Sequence, residues 1–209
     1  MRIIKLNEQS RANILADLLK RDPNNYSAYE GTVQEIVDDV RARGDEALFE
    51  YTKKFDGAEL SADNIRVTQA EIQEALSQVD PNLLAVMKKS MKNIREYHEK
   101  QKQYSWFDSK PNGTILGQKV TALSSVGVYV PGGKAAYPSS VLMNIIPAEV
   151  AGVEKIVMVT PPGKDGRVNP VTLIAAHLAG ATEVYKVGGA QAIAALAFGT
   201  KSIPRVNKI

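Results

Sequence analysis

The sequence predicts an α/β protein with a helix-rich N-terminal region, residues 1–124, followed by an incomplete Rossmann-like parallel-sheet domain, residues 125–209. Two observations predict this class. Before residue 125, apolar residues recur at helical spacing between capping and stop signals. After it, three β-branched runs alternate with three helical segments, which is the pattern of right-handed βαβ units with a parallel sheet.

The first helices are marked by their caps. Ser10 is predicted to cap a helix whose apolar face is Ile14, Leu15, Leu18 and Leu19. Thr32, with Glu35 three residues later, forms a capping box that opens a second helix, and Gly44 closes it. A third helix is expected from Asp45 to Phe55, just before Gly57.

Two longer helical segments follow a short strand at Ile65–Val67. The box formed by Thr68 and Glu71 opens the first of them, with Ile72, Ala75, Leu76 and Val79 facing inward. Asp80-Pro81 opens the longest helix, which should reach about Lys102. Its apolar face is Leu83, Leu84, Met87, Met91, Ile94 and His98. Residues 106–123 suit a hairpin or a linker.

The α/β region begins at residue 125. The predicted strands are Val126–Val130, Lys155–Thr160 and Glu183–Val187, and the predicted helices are Pro138–Ala151, Pro170–Leu178 and Gly189–Phe198. Asn169 caps the second helix, and Gly180 follows it. Pro147 should kink the first helix or end it early, because proline lacks the backbone N–H that continues a helix.

Composition narrows the functional classes. The 209 residues are 44% hydrophobic and 23% charged with a net charge of +3, as in ordinary soluble proteins. Lysines gather between Lys88 and Lys110, but acidic residues interrupt them, so we expect a solvated helix face and no nucleic-acid partner. No cysteine is present, which excludes disulfides and thiolate chemistry. No leader or membrane-spanning run is visible, so a cytoplasmic protein without membrane association is expected.

Paired glycines end two of the strands, Gly132-Gly133 and Gly188-Gly189. Glycine lets a backbone approach a ligand closely, and the free N–H groups at a following helix start suit a phosphate. The second pair is not the G-x-G-x-x-G fingerprint, so a nucleotide site and a tight structural turn both remain open. Gln191, in the first turn of an otherwise apolar helix, could reach a ligand there or face solvent.

Tyr129 and the two histidines have competing interpretations. The string Tyr129-Val-Pro131-Gly-Gly sets an aromatic ring and a rigid turn at a sheet edge, where the ring flanks a cofactor plane or packs in the core. His98 and His177 lie on apolar helical faces without metal-ligand spacing, so no metal ligand is assigned. No Ser-His-Asp signature appears, and no catalytic residue is assigned.

Three ordered strings carry a resemblance to a known family. They are Gly44–Gly57 (GDEALFEYTKKFDG), Val126–Gly133 (VGVYVPGG) and Val187–Thr200 (VGGAQAIAALAFGT). Gly117-Gln118 and Ser140–Met143 extend the match, which covers nearly the whole chain in order. The sequence resembles histidinol dehydrogenase.

The resemblance implies a zinc-dependent, homodimeric oxidoreductase of histidine biosynthesis. Such enzymes oxidise L-histidinol to L-histidine through the aldehyde and pass two hydrides to two NAD molecules in turn. Tyr129 and Gln191 match positions that contact NAD in the family, and Pro131 lies beside the same site. The three residues are therefore predicted to bind the cofactor.

The resemblance also implies that the catalytic parts lie elsewhere. Family members are much longer, and their next motif, Phe-Gly-Pro-Gly-Asn, is expected just after Ile209. The zinc ligands, a catalytic Glu-His pair and most histidinol contacts are expected beyond that point, so the 209 residues alone should be inactive. The alternatives are a non-catalytic nucleotide-binding module and a piece of another aldehyde-oxidising dehydrogenase, and the lack of cysteine weighs against the latter.

Overall fold

A computed structural model describes residues 7–12, 26–132 and 136–209 of the chain. It divides into two compact units, residues 1–35 and residues 36–209. In the first unit, residues 8–12 are helical. Asn7 caps this helix, because its Oδ1 accepts a hydrogen bond from the backbone N–H of Ser10 at 2.7 Å. The prediction that Ser10 is the cap was wrong, and the apolar face predicted from residue 14 to residue 19 lies outside the described residues.

Helix α1 spans Ser27–Arg43, so it begins well before Thr32. The predicted start at the Thr32 capping box was wrong, since Thr32 lies inside the helix. No proline interrupts residues 27–32, and Gly31 costs only about 1 kcal/mol relative to alanine in a helix. The predicted end is confirmed, because the chain leaves the helix at Gly44 with a φ of +61°.

The next three helices follow their sequence signals closely. They are α2, Asp45–Asp56; α3, Gln69–Gln78; and α4, Pro81–Glu99. The capping box before α3 is confirmed: Thr68 Oγ1 accepts from the Glu71 N–H at 3.3 Å, and Glu71 Oε2 accepts from the Thr68 N–H at 2.8 Å. Two details were wrong. Leu76 is 39% exposed instead of inward, and α4 ends before Lys102.

A hairpin follows α4, as the first of the two predicted alternatives stated. Strand β1, Trp106–Ser109, pairs antiparallel with β2, Ile115–Gln118. Every residue of both strands is exposed. The hairpin therefore adds nothing to the buried core.

Three parallel strands form the centre of the fold. Strands β3 (Ser125–Tyr129), β4 (Lys155–Thr160) and β5 (Glu183–Lys186) are hydrogen-bonded in the order β3-β4-β5. Helices α5 (Pro138–Val150), α6 (Pro170–Ala179) and α7 (Gly189–Phe198) alternate with them. The predicted α/β fold with a parallel sheet is confirmed. All three strands end at one side of the sheet, which we call the carboxyl edge.

Short segments extend this sheet on both sides. Arg66 forms an antiparallel bridge with Tyr185 of β5, and Lys208 forms a parallel bridge with Val126 of β3. The strand predicted at Ile65–Val67 is therefore a single bridge that pairs with the outer side of β5. Its backbone bonds run from Lys186 N to Ile65 O and from Val67 N to Val184 O, both at 2.9 Å.

Helix α5 continues through Pro147 to Val150, so the predicted early end was wrong. Proline removes one backbone hydrogen bond. The helix extends only three further residues beyond it, and its buried residues Val141, Leu142, Ile145 and Ile146 all precede Pro147. Packing of that apolar stretch fixes the helix before the proline is reached.

The sheet is covered on two faces. On the α6 face, Val128 and Met158 of the sheet pack with α5, α6 and residues of α3 and α4 such as Ala75 and Met87. On the opposite α7 face, Val157 and Val159 pack with Leu48 of α2 and with α7. Helices that precede residue 125 thus share cores with the strands that follow it, and the predicted boundary at residue 125 stays a prediction.

Candidate functional site

The ends of all three strands converge on Pro161 at the carboxyl edge. A Cβ built on Gly132, after β3, would lie 2.5 Å from Pro161 Cγ, and one on Gly188, after β5, would lie 2.6 Å from Pro161 Cβ. Carbon atoms cannot approach this closely without displacement. Glycine is therefore required at both positions by the approach of the proline ring. The structure brings one glycine from each predicted pair to a single point, while Gly133 lies outside the described residues.

A cavity of about 470 Å³ opens beside this point, on the α6 face. Pro131 and Gly132 line it together with the loop after β4, helix α3 and the start of α6. Its volume falls in the range of small-molecule sites, and open α/β sheets bind ligands at the carboxyl ends of their strands. The structure therefore has a cavity at the carboxyl edge, where the sequence predicted that a ligand would bind.

Two glutamates that line this cavity are paired with basic side chains. Glu71 Oε1 accepts a hydrogen bond from Lys186 Nζ at 2.5 Å, and Glu74 Oε1 accepts one from Arg167 at 2.5 Å. Burial alone would raise the pKa of Glu71, but its hydrogen bonds to Lys186 and Thr68 outweigh burial and lower the pKa. Each of these four side chains is therefore already paired with an opposite charge.

The start of α6 also lines the cavity. Asn169 caps this helix, and its Oδ1 accepts hydrogen bonds from the N–H groups of Val171 at 3.0 Å and Thr172 at 3.2 Å. This confirms the predicted cap. Two of the N–H groups at this helix start are therefore already satisfied and are not free for an anion.

Gln191 differs from these paired groups. It is 1% exposed, and its side-chain oxygen Oε1 has no hydrogen-bond partner among the described residues. The side chain folds back over the turn, because a Cβ on Gly189 would lie 2.5 Å from Oε1. Gly189 has a φ of +67°, which glycine tolerates best. A buried carbonyl oxygen without a donor is costly, so this amide fits a ligand that presents an N–H or O–H.

Tyr129 ends β3 and packs partly buried against the α7-face core. Its strand neighbour Val128 packs in the α6-face core, because successive strand residues point to opposite faces. Tyr129 and Gln191 therefore belong to the α7 face, whereas Pro131 lines the cavity on the α6 face. The structure brings the three predicted residues to one edge but not into one pocket.

Sequence reasoning missed two residues. Pro161 contacts both glycine turns. The Pro-Pro-Gly run that follows a buried strand was the sequence signal that could have indicated this role. Asp56 ends α2, and its buried Oδ2 has no hydrogen-bond partner within the described part of the chain. The sequence showed it only as part of a helix stop.

The histidines and acidic residues form no metal cluster in the part of the chain that the structure describes. His98 Nδ1 lies 2.7 Å from Gln101 Oε1.

No described helix is both long enough and apolar enough to cross a bilayer.

A three-stranded parallel sheet covered by helices, with glycine turns and a cavity at its carboxyl edge, defines an α/β protein with a Rossmann-like sheet. The comparisons give the family. A family profile described as histidinol dehydrogenase matches residues 19–209, and this chain belongs to the histidinol dehydrogenase family.

Relatives agree with that assignment. The chain is 60% identical over 178 residues to the histidinol dehydrogenase of Bacillus subtilis (strain 168) and 55% identical over 177 residues to that of Heliobacterium mobile. Each alignment covers 85% of this chain and 41% of the relative. A crystal structure of histidinol dehydrogenase from Elizabethkingia anophelis matches with a TM-score of 0.81 and 37% identity, over 87% of this chain and 41% of that one. The chain thus spans about two-fifths of the length of the relatives it matches.

Proposed function

We propose that this chain supplies the NAD-binding part of an enzyme that oxidises L-histidinol to L-histidine through the aldehyde. Membership of the histidinol dehydrogenase family supports the reaction. The observation that carries the cofactor assignment is the buried, unpartnered Oε1 of Gln191 at the carboxyl edge of the sheet. NAD, when bound, accepts the hydride from the carbon that is oxidised.

The described residues fit a dinucleotide in chemical terms. NAD carries donors in its carboxamide, its adenine amino group and its ribose hydroxyls, and any of these would satisfy Gln191 Oε1. Tyr129 would flank a cofactor ring with its partly buried face, and Pro131 would form the wall of the adjoining cavity. In this proposal these three residues bind and orient the cofactor and move no proton.

Zinc does not fit residues of this chain in the same way. The family resemblance implies a zinc ion, but the described residues group no three ligand-type side chains, so we assign zinc to none of them. We likewise assign no catalytic acid or base. The 209 residues by themselves are expected to turn over no histidinol, because the resemblance places the Glu-His pair and the zinc ligands beyond position 209.

The reaction is tested with the longest reading frame that contains these 209 residues. Histidinol-dependent formation of NADH by that protein, and its loss on zinc chelation, are the expected results. Absence of NADH formation in a fully metallated preparation would contradict the proposal. Sedimentation of the same protein tests the homodimer that the resemblance implies, and fractionation of the source cells tests a cytoplasmic location.

The cofactor assignment is tested in the 209-residue chain by Gln191→Leu. Leucine retains the side-chain volume and removes the amide, so NAD binding measured by calorimetry should weaken about tenfold, the effect of one lost hydrogen bond. Stability should stay equal or rise, because the variant removes a buried group without a partner.

The matched control is Gln103→Leu, which changes an exposed glutamine away from the sheet. It should leave NAD affinity unchanged. Equal NAD affinity of wild type and Gln191→Leu would remove Gln191 from the site. Retained binding by the isolated chain without turnover would match the second candidate, a non-catalytic nucleotide-binding module, which the unpartnered amide supports equally well.

A further inference from the structure

Two buried side-chain atoms lack a hydrogen-bond partner among the described residues, and both are acceptors. One is Oε1 of Gln191, in the first turn of α7. The other is Oδ2 of Asp56, the last residue of α2. Nearly all buried polar atoms in proteins are satisfied, so each exception needs an explanation.

The first residues of α2 contact the segment that follows α7. Ser202, just after α7, donates its hydroxyl to Asp45 Oδ2 at 2.7 Å, and its N–H bonds Asp45 Oδ1 at 3.2 Å. Arg41 lies in the last turn of α1, and its Cζ is 5.2 Å from the centroid of the Phe198 ring at the end of α7. These contacts place the start of α2 beside the end of α7.

The loop after β4 contacts the other end of each helix. A Cβ on Gly57 would lie 3.7 Å from Lys164 Cγ, so the end of α2 contacts this loop. The loop begins at Pro161, which contacts Gly188 at the start of α7. The end of α2 and the start of α7 therefore both meet the loop after β4, and we call this region the corner.

A carboxylate is unfavourable at this position of the free protein. The C-terminal end of a helix carries partial negative charge, which repels an anion. Burial raises the pKa of the Asp56 carboxyl, because the charged form loses hydration without gaining a partner. Lys164 contacts the neighbouring Gly57, but Asp56 Oδ2 accepts no hydrogen bond from it. Packing therefore gives no reason for a carboxylate here.

We propose that Asp56 accepts hydrogen bonds from the vicinal hydroxyls of a ribose of the dinucleotide and thereby selects NAD over NADP. This rests on the proposed NAD-binding function and names the part of the cofactor that the corner recognises. Two adjacent hydroxyls supply the donors that a carboxylate lacks, and a 2′-phosphate would bring negative charge against it. Gln191 Oε1 supplies a second acceptor at the same corner.

The test uses Asp56→Asn in the 209-residue chain, with Asp108→Asn on the exposed hairpin as the matched control. NAD and NADP affinities are measured by calorimetry. Asp56→Asn should weaken NAD binding at least tenfold, the scale of a hydrogen bond to a charged group. NADP binding should be unchanged or stronger, so the preference for NAD should shrink by at least the same factor. The control should bind both cofactors as wild type does.

A purely structural role for Asp56 predicts a different result. Asp56→Asn would then lower the melting temperature of the chain and weaken both cofactors equally. The ligand role predicts an equal or higher melting temperature, because the variant removes a buried charge without a partner. A lower melting temperature with unchanged NADP discrimination overturns the proposal.

The two proposals fail in distinguishable ways. If Gln191→Leu weakens NAD binding and Asp56→Asn changes neither affinity, the Asp56 proposal is overturned and the NAD site stands. If the wild-type chain shows no saturable binding of NAD, both are overturned.

Discussion

At the scale of single residues, Glu71 connects local structure to tertiary structure. Its Oε2 closes the capping box of α3 and its Oε1 accepts a hydrogen bond from Lys186 at 2.5 Å. The Lys186 side chain is 7% exposed, so its ammonium depends on this partner. The cap was visible in the sequence because it lies three residues from Thr68. The lysine, 115 residues away, was not.

Glu71→Gln should therefore destabilise the chain by about 3 kcal/mol, because it leaves a buried ammonium without its counter-charge. The matched control is Glu74→Gln, whose partner Arg167 is 58% exposed and whose loss should cost less than about 1 kcal/mol. Urea unfolding of the three proteins measures both differences. Equal losses would show that burial of the Lys186 pair does not matter.

The same pair sets a pH dependence. The pKa of Glu71 is lowered in the folded chain, so the folded state binds fewer protons than the unfolded state between the two pKa values. Its stabilising contribution is complete above the unfolded pKa of about 4.3 and is lost as the pH falls through the folded pKa. The stability gap between wild type and Glu71→Gln should narrow over that acidic range, as urea unfolding at several pH values would show. A gap independent of pH would contradict this.

At the scale of elements, the turns that end the strands are fixed by one proline. Gly188 has a φ of −128°, which other residues adopt easily, so its own conformation does not require glycine. Pro161 requires it, since the ring occupies the space of a Cβ. The glycine pairs were visible in the sequence, where they indicated backbone freedom and close approach of a ligand. Their contact with Pro161 was not visible there.

Gly188→Ala should cost about 1–3 kcal/mol, the range for overpacking a rigid contact. Pro161→Ala should relieve part of that cost in the double variant, so the two changes should not be additive. Gly31→Ala is the control, because no atom lies within 4 Å of the new Cβ, and it should stabilise α1 by about 0.5–1 kcal/mol. Chemical unfolding gives all four values. Strict additivity of the Gly188 and Pro161 changes would disprove the contact.

At the scale of the whole molecule, the unit of residues 36–209 forms its two cores from both sides of residue 125. Met87 of α4 packs in the α6-face core, and Leu48 of α2 packs in the α7-face core. Neither face of the sheet is covered only by residues that follow it in the chain. The helices before residue 125 and the sheet are therefore expected to depend on each other for stability.

Calorimetric unfolding of the chain should show residues 36–209 melting in one cooperative transition, because a shared core does not unfold in halves. A chain of residues 125–209 alone should fail to give that transition, since it exposes the surfaces that Met87 and Leu48 cover. Independent folding of residues 125–209 would instead support the boundary predicted at residue 125.

The sequence by itself determined the class of fold, most helix and strand bounds in the α/β region, the family and two glycine turns. These depend on patterns within a few residues, on caps such as Asn169 and Thr68, and on strings long enough to compare. Only the tertiary structure decided that Gly132 and Gly188 meet at Pro161, that Glu71 pairs with Lys186, and that the loop after β4 contacts both the end of α2 and the start of α7. Each of these is a contact between residues distant in the chain, and no local periodicity encodes which distant side chain will fill a given space.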